Sequence, residues 1–185
     1  MPEPVAMTPE RAMVFIDAMN LYEGLGDLKK HIDPMINTNV DCSKLAKKLV
    51  EAHRRLIRCH VYTGAYDQRR EPEKYSPQVR FFNKVHQMPF VTLKTRPLVY
   101  RAGAFIQKGV DTLIATDMVS MAFLGHYEIA FLVSGDGDLA PAVEAVKAAG
   151  KQIIVAAFQR SRSAAVGNAA DHELVLNADY FKGCD

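Results

Sequence analysis

The 185-residue sequence predicts an α/β fold built on a mainly parallel sheet. Short apolar runs such as Met13–Ile16, Phe131–Val133 and Ile153–Val155 alternate with stretches of helical periodicity, the pattern of repeated βαβ units. Two of the runs end directly in carboxylates: Asp17 closes the first, and Ser134-Gly135-Asp136-Gly137-Asp138 follows the second. The third observation is composition. With 49% hydrophobic and 24% charged residues, the chain can fill a sizeable core and is not of the disordered class.

Taken in order, residues 12–17 read as a buried strand. Asn20 to Asn39, holding Gly24, Gly26 and Pro34, reads as a loop. Asp41 is placed to cap a helix from Cys42 to His53, with Leu45, Leu49 and Ala52 on its apolar stripe. Leu56 to Thr63 alternates as a second strand, and Gly64 to Pro77 reads as a polar loop. A helix then runs to about Gln87, followed by a strand over Phe90–Lys94 and an irregular stretch over Thr95–Gln107. Val110 to Leu124 predicts a helix ending at Gly125, and Glu128 to Val133 a fourth strand. Leu139 to Ala149 predicts a helix stopped by Gly150, a residue type suited to the left-handed position beyond a helix end. Gln152–Phe158 is a fifth strand, Ser163–Ala170 a short helix and Glu173–Leu176 a last strand. No repeat, low-complexity tract or linker interrupts the chain, so residues 1–185 are expected to form one domain with a core over about 12–176.

No apolar run reaches the roughly 20 residues a transmembrane helix needs, and the start lacks a secretory pattern. The scattered Cys42, Cys59 and Cys184 form neither a disulfide framework nor a metal motif, which fits a reducing, cytoplasmic setting. The formal net charge of +2 conceals an asymmetry: residues 44–108 hold 15 Lys/Arg against 4 Asp/Glu (+11), and the remainder 8 against 17 (−9). A basic middle beside an acidic remainder suits a binder of a phosphate backbone that also carries a metal site. The bland alternative is a solvated surface of varying charge.

The candidate site follows from the sheet. Strand C-termini of an open parallel sheet share one edge, where ligands bind. Asp17, Asp111, Asp136 and Asp138 can therefore reach one place from three segments. Clustered carboxylates repel unless a cation neutralises them, and hard oxygen donors suit Mg²⁺ or Mn²⁺. Each residue also has a plainer reading. Asp17 can cap a turn, Asp138 can cap the helix beginning at Leu139, and Asp111 can sit favourably in the first turn of its helix. Asn20 and Ser134 offer an amide and a hydroxyl beside these acids. Gly135 and Gly137 permit unusual backbone angles and close approach of a ligand. Asp117 falls inside the apolar stripe of Val110, Leu113, Ile114 and Met121, where a carboxylate needs a cation, a hydrogen-bond network or a cleft. Lys108, Arg69, Arg70, Arg96 and Arg101 are candidate contacts to a phosphate backbone, and Tyr62, Tyr66, Tyr75 and Tyr100 can stack on bases or simply pack. The six histidines show no metal spacing, and the chain has no Walker A, GxGxxG or GxSxG motif.

Together these stretches resemble the NYN domain family, specifically its LabA-like (DUF88) branch within the wider PIN-like nuclease superfamily. The resemblance rests on Val14-Phe15-Ile16-Asp17-Ala18-Met19-Asn20, on Lys108-Gly109-Val110-Asp111 with Asp117, and on Leu132-Val133-Ser134-Gly135-Asp136-Gly137-Asp138-Leu139. Ala149-Gly150-Lys151-Gln152-Ile153-Ile154-Val155 and Ala169-Ala170-Asp171 extend it over about residues 12–176. Leu139 departs from the phenylalanine common in that branch, a packing difference. The resemblance implies a three-layer α/β/α sandwich of PIN-like, Rossmann-like type and a metal-dependent ribonuclease. Asp17, Asp111, Asp136 and Asp138 would then hold Mg²⁺ or Mn²⁺, supported by Asn20, Asp117 and Ser134. The expected partner is RNA, with a homodimer possible through C-terminal apolar residues such as Phe181. The competing expectations are a non-catalytic RNA-binding module and, behind it, a small-molecule phosphohydrolase.

Overall fold

The computed structural model describes residues 8–101 and 104–185. Its centre is a six-stranded sheet in the order β3-β2-β1-β6-β7-β8, formed by β3 (Val91–Pro97), β2 (Arg55–Ala65), β1 (Arg11–Asp17), β6 (Ile129–Val133), β7 (Gln152–Phe158) and β8 (His172–Leu176). Every neighbouring pair is parallel. The order explains the near-continuous apolar runs. β1 and β6 lie in the middle and are covered on both faces, so their side chains are buried whichever way they point.

Helices make the two outer layers. Against one face lie α1 (Ala18–His31), α2 (Cys42–Val50), α3 (Pro72–Gln87) and α7 (Ala178–Phe181), through Leu21, Leu25, Leu45, Leu49, Val85 and Phe181. Against the other lie α4 (Val110–Phe123), α5 (Ala140–Ala148) and α6 (Ala164–Ala169), through Ile114, Met118, Val143, Val146 and Val166. The fold is thus the α/β/α sandwich that the alternation of elements and the family resemblance led us to expect.

Three local expectations are corrected. Residues 20–31 are helix, not loop, because α1 begins at once after Asp17. Leu21, Leu25 and Leu28 form its buried stripe, and that packing outweighs the roughly 1 kcal/mol each glycine costs inside a helix. Gly24 is required by closeness: a Cβ there would lie 2.1 Å from the Phe158 ring of β7. The polar loop after β2 ends earlier than Pro77, since α3 starts at Pro72 and carries Pro77 within it. The stretch 95–107 is only partly irregular: β3 runs on to Pro97, and β4 (Val99–Arg101) pairs antiparallel with β5 (Ala104–Ile106).

At the C-terminal end, Phe181 is buried and stacks on Phe158 of its own chain at 5.8 Å. Cys42, Cys59 and Cys184 are free and buried. No helix among the described residues is long and apolar enough to cross a membrane.

Candidate acidic site at the sheet edge

The chain leaves β1 toward one side of the sheet (β2, β3) and returns from β6 toward the other (β7, β8). The crevice beyond the C-termini of β1 and β6 is therefore the switch point of the topology, where open parallel sheets bind ligands. Asp17 is the last residue of β1, and the turn Ser134–Asp138 leaves β6. α4 runs back to the start of β6, so its N-terminus, with Asp111 in the first turn, stands on the same edge.

Asp17 is buried and caps α1: its Oδ1 accepts from the Met19 N–H (3.0 Å) and the Asn20 N–H (3.3 Å). Asn20 reaches across the crevice, its Oδ1 accepting from the Gly135 N–H at 3.1 Å, and so ties α1 to the acidic turn. Within that turn the fully buried Ser134 accepts from the Asp136 N–H (3.2 Å), and Asp136 accepts from the Asp138 N–H (2.9 Å). The capping that the sequence allows for Asp138 thus falls to Asp136, at the head of the 3₁₀ turn Gly137–Leu139, while Asp138 is exposed.

The electrostatics join the acids into one neighbourhood. Burial first, and then the nearby Asp111 and Asp136 charges, push the Asp17 carboxyl up to about 6 against its two capping hydrogen bonds. Asp111 is likewise raised, by burial and then by Asp136, with Asp138 adding to it. Among the described residues, no ion pair neutralises Asp17, Asp111, Asp136 or Asp138. Nor do any three carboxylate, imidazole or thiol side chains among these residues converge closely enough to hold a metal ion as they stand.

Asp117 is placed elsewhere. Its Oδ2 lies 2.5 Å from the Lys94 Nζ of β3 and accepts from the Tyr62 hydroxyl at 2.9 Å, so its charge is met by a structural ion pair. The contact with the acidic site is indirect, through Tyr62, the register partner of Asp17. His60 lies in the same layer, stacked on Phe15 at 5.6 Å, and neither ring nitrogen has a hydrogen-bond partner among the described residues. Burial and the Lys94 charge lower it to about 4, so it is neutral at pH 7. Replacing Lys94 by Met is expected to lower the unfolding free energy by about 2 kcal/mol, less than for a fully buried pair because both side chains keep some exposure. Urea denaturation checks this, and Asp117→Asn should cost less, because the Lys94 ammonium it leaves unpaired keeps more exposure (27%) than the Asp117 carboxylate does (16%).

The candidate cations sit along the same edge, on the β2–β3 side. Arg69 and Arg70 are exposed in the loop between β2 and α3, and Arg96 is exposed near the end of β3. Lys108 is exposed just before Gly109, whose φ of +79° opens α4. Arg101 closes β4, and its side chain lies outside the described residues.

The loop Gln159–Ser163, which follows β7, was not singled out in the sequence. The Ser163 N–H donates to the Gly135 carbonyl at 2.9 Å, and exposed Arg160 and Arg162 stand beside the acidic turn. The signal available was the strand-end rule applied to β7 as it was to β1 and β6. This loop also explains the glycines of the turn. Neither Gly135 nor Gly137 has a positive φ. A Cβ on Gly135 would lie 2.4 Å from the Ser161 carbonyl oxygen, and one on Gly137 2.7 Å from the Ser163 Oγ. Close approach of the chain itself, not an unusual backbone angle, is what requires glycine there.

The profile of the NYN domain family matches residues 11–177. A crystal structure of a protein of unknown function from Vibrio parahaemolyticus superposes with a TM-score of 0.71 at 20% identity, covering 94% of this chain and 96% of that one. At that identity the likeness speaks for the fold alone. No protein of curated function matches the chain.

Proposed function

Since the chain belongs to the NYN domain family, we propose that it is a metal-dependent ribonuclease hydrolysing RNA phosphodiester bonds, of the family's LabA-like (DUF88) branch. The observation that supports this most is the group of four carboxylates at the topological switch point, without ion-pair partners among the described residues, with exposed arginines and a lysine along the same edge. Hard carboxylate oxygens that repel one another fit Mg²⁺ or Mn²⁺ in their chemistry. Asp17, Asp111, Asp136 and Asp138 would hold the ion, which supplies an activated water and charge stabilisation at the phosphate. Asn20 and Ser134 keep the Asp136 turn against α1. Arg69, Arg70, Arg96, Arg101 and Lys108 would position the RNA backbone.

A second reading, a non-catalytic RNA-binding module, draws on the absence of three converged ligands among the described residues. RNA left intact in Mn²⁺ would mark such a module, and thermal denaturation with added Mn²⁺ tests whether Asp136 is a ligand of the ion. A protein that binds the ion only when folded gains RT ln(1 + [L]/Kd), about 2.7 kcal/mol at a hundredfold excess over Kd. The melting temperature of the wild type should therefore rise by several degrees with Mn²⁺, and that of Asp136→Asn should rise much less. An equal response in both proteins would remove Asp136 from the ion's ligands.

A further inference from the structure

A cleft of about 530 Å³ opens beside the acidic site, between α1, the end of β2 and α3. Met19, Tyr22, Tyr66, Gln78, Phe81 and Leu98 line it. We infer that this cleft takes one unpaired nucleobase of the RNA strand whose backbone crosses the acidic site. The inference rests on the nuclease reading for its polymer and goes beyond it in naming a base subsite.

Contiguity comes first. Met19, which lines the cleft, donates its N–H to the Asp17 carboxylate. Thr63 and Gly64, which also line the cleft, directly follow Tyr62, the register partner of Asp17. A strand with a phosphate at Asp17 therefore has the cleft within reach of a neighbouring nucleotide. The walls suit a flat ring: Tyr22 and Phe81 meet edge to face at 5.6 Å, and Tyr66 adds a third aromatic ring to the lining. Aromatic faces accept any base by stacking. Gln78 fixes the opening in advance, its Oε1 accepting from the Tyr66 N–H (2.8 Å) and its Nε2 donating to the Gly64 carbonyl (2.7 Å). The rim carries both signs: the Lys74 Nζ lies 5.5 Å from the Tyr66 ring and pairs with Glu71, Glu23 lines the cleft, and Arg69 and Arg70 are exposed in the adjoining loop. An aromatic slot next to the acidic site, with the exposed Arg69 and Arg70 in the adjoining loop to meet a phosphate, fits a base borne on a nucleic-acid backbone.

The test compares labelled eight-residue oligoadenylate with an abasic ribose-phosphate octamer of equal charge, bound in EDTA and followed by fluorescence anisotropy. Oligoadenylate should bind wild-type protein about tenfold more tightly or better, as stacking of a base predicts. Phe81→Leu, which keeps an apolar wall without the aromatic face, should reduce that ratio severalfold. If Phe81→Leu does not fold, Tyr66→Leu on the half-exposed wall gives the same reading. Equal binding of the two octamers by the wild type, or a ratio untouched by the substitution in folded protein, overturns the base subsite. Because no metal is present, the outcome is separate from cleavage. RNA cleavage with a ratio of one leaves the nuclease and removes the cleft, and a high ratio without cleavage does the reverse.

Discussion

Replacing Asp17 by Asn is expected to reduce metal-dependent RNA cleavage at least about 100-fold while making the metal-free protein more stable at neutral pH. Both effects have one cause. The Asp17 carboxyl is raised from 3.8 to about 6 by burial and by the Asp111 and Asp136 charges, so ionising it in the folded protein is unfavourable. Asn keeps an oxygen for the Met19 and Asn20 N–H groups and carries no charge. A shift of this size corresponds to up to about 3 kcal/mol, or roughly 5–10 °C in melting temperature for a chain of this length. The sign fixes the pH window. A carboxyl with a raised folded-state value contributes stability below about 3.8 and loses it as pH rises through about 6. The variant should thus match the wild type near pH 3.8, exceed it increasingly up to about pH 6 and hold a constant advantage above. His60, lowered to about 4, acts in the opposite sense over the same range, since its stability is lost as pH falls below 6.5. The difference between variant and wild type isolates Asp17 from that background. Melting curves between pH 4 and 7.5 in EDTA check the stability, and saturating Mn²⁺ should reverse the ranking.

Gly135→Ala is expected to cost about 1–3 kcal/mol and most of the cleavage activity. Its added methyl group would meet main-chain atoms on three counts, at 2.4 Å (Ser161 O), 2.9 Å (Ser161 C) and 3.0 Å (Arg162 Cα). Backbone cannot rotate away as a side chain does, so either the 159–163 loop or the acidic turn must move. If the turn moves, the Gly135 N–H leaves Asn20 and carries Asp136 with it. Denaturation and RNA cleavage measured on the same preparation check this. Wild-type stability and activity would mean that the loop yields at little cost.

The parts of this molecule readable in its sequence are those written in short-range pattern. β1 and β6 are buried on both faces, so each appears as an unbroken apolar run, and the acids at their ends are adjacent in sequence to the strands that place them. α1 was hidden because Gly24 and Gly26 read as loop signals, whereas Gly24 answers to Phe158, 134 positions away. Asp117 shows a similar limit. Its place in an apolar stripe reveals that it needs a partner, but Lys94 comes from β3, on a separate element, and no local spacing identifies it. The grouping of the acids depended on sheet order, which the strand-end rule supplies. The packing of the 159–163 loop against the Gly135 turn and the cleft by Met19 depended on contacts between distant segments, which that rule does not reach.

Incubating the wild-type protein and Asp136→Asn with labelled single-stranded RNA, in Mn²⁺ and in EDTA, tests the central claim most directly. The account predicts cleavage by the wild type in Mn²⁺, none in EDTA, and loss of at least about 100-fold in the variant. RNA bound but intact in every condition, or cleavage undiminished in Asp136→Asn, would contradict it.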